Sequence, residues 1–239
     1  MQAFLYEVLL QWKIDFRNKG ILLTYYVVPL VFFGFMGGIF TTITPDSKKT
    51  LIESMSIFSI TMGAILGVPV PISQTYGSDL KKSFQVGSIP MYVPVLTNFI
   101  SSFVHLFIVS IIIYLTAPIF FKASIPQNIF KYFLVLAIFI VCSLSVGVIL
   151  GLIIKNTSRL TMISQLIFLP SIMVSGIMFP AKLLPKFLMI ISKAFPATWG
   201  FELMKATNLD LLFLTPLLII FIICAGISFY VIKRLQLAK

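Results

Sequence analysis

The residues able to do chemistry are few, and most fall on one face of one apolar stretch. Asn98, Ser101, Ser102 and His105 lie within about 100° of one another at helical spacing, with Thr116 on the same side. Such a stripe turns toward protein or a cavity and away from lipid. Two uses fit it: hydrogen bonds to neighbouring helices, or the lining of a pathway, with Gln165 in a later stretch as a further candidate. His105 is the only histidine, so one chain holds no multi-histidine metal site. Ser175-Gly176 and His105 make a poor hydrolytic pair, since Ser175 occupies no nucleophile-type turn. Catalytic residues are therefore expected to be absent, and no cofactor is expected in this chain.

The acids carry a second exclusion. Glu7, Asp15, Asp46, Glu53, Asp79, Glu202 and Asp210 all sit in connections or at the edges of apolar stretches. A proton- or sodium-coupled carrier usually needs a carboxylate relay within the membrane. No glycine-rich phosphate loop ending in Lys-Ser/Thr occurs either, so the chain does not bind ATP in that way. A membrane bundle with neither device must borrow its energy. An ion-coupled carrier or channel stands as the alternative.

The elements that hold these residues follow from composition. The chain is 59% hydrophobic with a mean hydropathy of +1.07, beyond the roughly 45–50% apolar content of soluble domains. Six apolar stretches can cross a bilayer, at about 21–40, 55–72, 93–121, 132–154, 160–179 and 211–232. The fold class is all-α and polytopic, one transmembrane domain over 1–239. The net charge of +11 is read as lysines facing anionic lipid and not as nucleic-acid binding. Cys142 and Cys224 fall mid-span and behave as buried thiols.

Three further segments are distinctive. Residues 2–19 form a helix too polar to span. Phe4, Leu5, Val8, Leu9, Trp12 and Phe16 share one side and Lys13 and Arg17 the other, which predicts a helix lying along the membrane surface. Between spans two and three, Asp79–Gln85 can make two helical turns bounded by Gly77 and Gly87, with Leu80 and Phe84 on one face beside Lys81 and Lys82. That face suits a groove on a partner, or folds back on its own bundle. After span five, Pro170, Pro180, Pro185 and Pro196 cut the chain into apolar runs too short to cross, which predicts a hairpin that dips in and returns over 180–200. Six spans put both termini on one side, and three cations just before the first span argue for the cytoplasmic side.

This order of parts resembles the type-2 ABC exporter permeases, six-span membrane subunits that pair with separate ATP-binding subunits. The most specific piece is Ser175-Gly176, then Phe179-Pro180, Leu184-Pro185 and an apolar run ending at Pro196. The likeness implies that the hairpin, with these seven residues, closes the exit on the outer side. It also implies that Gly77, Asp79, Leu80, Lys81, Lys82, Phe84 and Gly87 form the coupling segment on the ATPase subunit. ATP and magnesium would be bound by that subunit, and a second permease copy or a related chain would complete the pathway in the lipid bilayer. An apolar pathway with scattered hydroxyls and amides suits an amphipathic or lipophilic cargo: a peptide toxin or bacteriocin-like peptide, a drug or a lipid.

Overall fold

Side-chain amides and carboxylates punctuate the chain. The computed structural model describes residues 2–43, 45–78, 84, 86–87, 89–178 and 184–237. Helix α1 (Gln2–Arg17) runs into α2 (Lys19–Thr42), with Asn18 accepting from the N–H groups of Gly20 and Ile21 at the junction. Asn128 caps α5 (Ile129–Ile153) through Lys131 N–H, and Asn156 caps α6 (Thr157–Val174) through Arg159 N–H. These caps satisfy donors that a helix start leaves open. The remaining helices are α3 (Leu51–Gly77), α4 (Val93–Phe121), α7 (Lys186–Ser192), α8 (Pro196–Lys205) and α9 (Leu211–Leu237). No strand occurs among the described residues.

Six helices, α2 to α6 and α9, are long and apolar enough to cross a membrane. The ends of α3, α5 and α9 reach beyond the stretches read from sequence, so Glu53 and Lys131 belong to spanning helices and not to the connections.

Helix α3 is the axis. Of its most apolar window, 83% is buried, against 17% for α9 at the periphery. Close approach to α3 depends on glycine. A Cβ on Gly147 of α5 would lie 2.0 Å from the carbonyl oxygen of Ala64, and one on Gly151 would lie 2.7 Å from that of Pro69. On the other side the Tyr25 ring covers Gly63 and Gly67, and its hydroxyl meets Ser102 Oγ at 2.9 Å. Small residues thus let backbones meet where hydrophobic driving force between helices is weak.

Two wide turns interrupt the helices. Leu23–Val27 in α2 and Gly63–Gly67 in α3 are π-helical and pack against each other. Each is followed two residues later by a proline, Pro29 or Pro69. A proline ring clashes with the carbonyl four residues back, so an ordinary turn would kink there. In the wide turn the bonds run five residues back, as from Val68 N–H to Gly63 O at 3.1 Å, and the helix passes the proline unbroken.

Candidate functional site

The polar stripe of α4 is buried and holds the N-terminal helix in place. Asp15 of α1, 1% exposed, accepts from Ser101 Oγ at 2.5 Å and from Gln11 Nε2 at 2.8 Å. His105 Nε2 lies 3.9 Å from the same carboxylate, and its Nδ1 lies 2.8 Å from the Tyr26 hydroxyl. Trp12, Phe16, Tyr25 and Tyr26 ring the imidazole, with centroids 5.0 to 6.0 Å away. Burial pushes the Asp15 carboxyl above the ordinary carboxylate range, opposed by the hydrogen bonds from Ser101 and Gln11. Asn98 Oδ1, Trp12 Nε1 and His105 Nε2 are buried and make no hydrogen bond among the described residues.

This seating adds a buried acid to the amphipathic reading of α1. Leu5, Leu9 and Phe16 are exposed together with Leu10 and Ile14, whereas Asp15 is buried and Gln11 and Trp12 are half-buried. The helix docks by its acid, because α4 offers Ser101 and His105 there, and leaves its aliphatic residues outside. Ser175 is engaged elsewhere: its hydroxyl donates to Ile172 O at 3.0 Å, so it shares no hydrogen bond with His105.

At the same end as the termini, α3 closes at Gly77, where an added Cβ would lie 3.1 Å from Lys155 O. Ser73 Oγ donates to Ile154 O at 2.7 Å and the Tyr76 hydroxyl donates to Met91 O, which ties this end of α3 to α4 and α5. Phe84 packs against the bundle's own core, and Gly87 lies in a turn. Asp79, Leu80, Lys81 and Lys82 lie outside the described residues.

At the opposite end, Gly176 takes a φ of 86°, a left-handed conformation that stops α6. Phe179 and Pro180 lie outside the described residues, and Leu184 and Pro185 lead into α7. Trp199 Nε1 donates to Lys193 O at 2.8 Å and Thr198 Oγ1 donates to Ser192 O at 2.7 Å, fastening the turn between α7 and α8. Pro196 opens α8, which packs against α3, α5, α6 and α9. A Cβ on Gly200 would touch the ring of Phe139, which lies ten residues into α5, a distance of about 15 Å along the helix.

Residues 3–209 match the ABC-2 type transporter family. The chain belongs to that family. It is a membrane permease domain, and its family implies pairing with an ATP-binding subunit. No curated protein matches it.

In this permease the candidate pathway residues separate into two groups. Asn98, Ser101, Ser102 and His105 are enclosed between α1, α2 and α4. Gln165 is exposed halfway along α6, among the exposed Met162, Leu166, Leu169 and Met173. Sequence reasoning missed Asp15 and the pair of tyrosines: Asp15 lies between Ile14 and Phe16, but Glu202 and Asp210 are also flanked by apolar residues, so its neighbours did not single it out. It also missed the burial of Glu53 and Lys131, 5% and 7% exposed.

Proposed function

We propose that this permease is one half of a pair, two copies or this chain with a related one, which exports an amphipathic or apolar cargo. The observation that carries the reading is Gln165. An amide facing hydrocarbon at mid-span is costly, so this face of α6 suits a second permease chain and the pathway between them. Beyond Arg159 the exposed part of α6 carries Thr161, Gln165 and apolar side chains, with no charge to hold an ion. Cargo moving along it would be apolar or amphipathic, and a bacteriocin-like peptide fits best.

Two ATP-binding subunits, holding ATP and magnesium, would drive the pair. The segment from Gly77 to Gly87 at the terminal end is the part we assign to their contact, and both termini then lie in the cytoplasm. The region of Ser175, Gly176, Phe179, Pro180, Leu184, Pro185 and Pro196 would close the outer exit. The depth at which Gly200 meets Phe139 supports a hairpin that enters the bundle. A single cysteine at Gln165, in a background with Cys142→Ala and Cys224→Ala, tests the pairing. It is expected to cross-link two permease chains in membranes, with cross-linking changed by ATP. Labelling by lipid-soluble reagents without any cross-linked dimer would refute it.

A further inference from the structure

A polar pocket of about 580 Å³ opens at the end of the bundle opposite the termini. It lies between the starts of α3 and α5, the connection before α5 and the segment after α8. Its charged lining is Lys49, Glu53, Lys131 and Lys205. Nothing described above uses it, yet burying charge is costly and groups are rarely held this way without a partner or a role.

Among the described residues, Lys131, Lys205 and Glu53 keep hydrogen-bond capacity in the pocket. Lys131 gives one N–H to Ala206 O, and an ammonium carries three donors. Lys205 gives one to Glu202 Oε1 at 2.7 Å and also has donors left. Glu53 Oε2 is buried with no partner among the described residues, in the same pocket. The site therefore asks for a ligand that brings anionic oxygens for the lysines and N–H donors for Glu53. A simple anion would leave Glu53 unsatisfied, and a simple amine would meet three lysines.

The surroundings say where such a ligand comes from. Ile129 and Phe130 follow the lining residue Asn128 in sequence, Leu211 and Leu212 come shortly after the lining residue Asn208, and all four are more than half exposed. An apolar wall next to a zwitterionic pocket at the ends of spanning helices matches a lipid, head inside and tails against the wall. We infer that the pocket binds a bilayer lipid with a phosphoethanolamine head, Glu53 accepting from the primary ammonium and Lys131 and Lys205 donating to the phosphate. The inference requires neither the direction of transport nor the cargo.

A choline head offers no N–H to Glu53, and a phosphoglycerol head offers no ammonium, so the site discriminates among lipids of equal tail length. The test uses the purified full chain and counts retained lipid by native mass spectrometry with phosphatidylethanolamine, phosphatidylcholine or phosphatidylglycerol. The wild type is expected to prefer phosphatidylethanolamine over phosphatidylcholine by about tenfold, the worth of one charge-assisted hydrogen bond. Glu53→Gln abolishes that preference. Lys205→Gln, at an exposed position that folding tolerates, weakens phosphatidylethanolamine and phosphatidylglycerol alike. Water-soluble phosphoethanolamine competes poorly, because it lacks tails. A wild type that does not separate ethanolamine from choline heads would overturn the assignment. So would a Glu53→Gln protein that is monodisperse and keeps the preference, a Lys205→Gln protein with unchanged retention, or soluble phosphoethanolamine displacing lipid at equal concentration.

Discussion

The contact between α5 and α3 makes a quantitative prediction. In Gly147→Ala the new Cβ would stand 2.0 Å from Ala64 O and 3.1 Å from Ala64 C. Side-chain carbons essentially never come closer than 3.0 Å to a neighbour, so the helices must part by at least 1.0 Å. The obstacle is backbone and cannot rotate away. A gap of that size forfeits a quarter to a half of each neighbouring dispersion contact, and overpacked cores lose about 1–3 kcal/mol. Since the second approach, Gly151 on Pro69 O, opens with the first, a cost near 3 kcal/mol applies. Replacing glycine by alanine in a helix returns about 1 kcal/mol, leaving about 2 kcal/mol of net destabilisation. For a chain of this size that is a fall in melting temperature of about 4–8 °C. The control is Gly226→Ala in α9, where nothing lies within 4 Å and the change is expected to be neutral or slightly stabilising. Thermal scans in one detergent, read by size-exclusion of the remaining monodisperse protein, measure both. Equal melting temperatures for the two variants would refute the close-approach account.

The docking of α1 depends on pH in a defined direction. The folded Asp15 carboxyl is raised by burial, so its contribution is complete at low pH and is lost as pH rises through the folded value, with His105, Tyr25, Ser101 and Gln11 as the groups facing it. Trp12 fluorescence should report a loosening of α1 as pH climbs, and Asp15→Asn should flatten the response. Asp15→Ala, which strips Ser101 of its acceptor, is expected to cost about 1–3 kcal/mol and to raise hydrogen exchange in α1. Gly176→Ala places a side chain at φ 86°, and a lower melting temperature by roughly 1–2 kcal/mol equivalent is expected, with α1 exchange unchanged. Single cysteines replacing Lys186 and Lys193 should react with an impermeant reagent in intact cells, while one replacing Lys155 should react only after permeabilisation.

Much of this fold was legible as pattern, and its limits were those of pattern. Six apolar stretches gave six helices long and apolar enough to cross a membrane. Helical spacing also put Asn98, Ser101, Ser102 and His105 on one face, but periodicity says which side is polar and not what covers it. The cover is α1 with the tyrosines of α2, and Asp15 stood on a helix that also carries Lys13 and Arg17, where an exposed acid is the ordinary expectation. Glu53 was placed in a connection or at the edge of an apolar stretch. The helices instead begin at Leu51 and Ile129, four and three residues before the stretches read from sequence, and bury Glu53 and Lys131. The wide turns had a trace in Pro29 and Pro69, yet a proline alone equally well reads as a kink.

Those wide turns behave like dislocations in a crystal. Each carries one residue more than the regular lattice of the helix, and one residue is about 100° of rotation. The segments before and after Gly63–Gly67 therefore present faces that no straight helix could present together: Met55 and Ile57 toward the core above, Tyr76 and Gly77 toward α4 and Lys155 below. Removing a single residue from the turn would leave the upper half of α3 seated and turn the lower half, with everything hung from Gly77, by that angle.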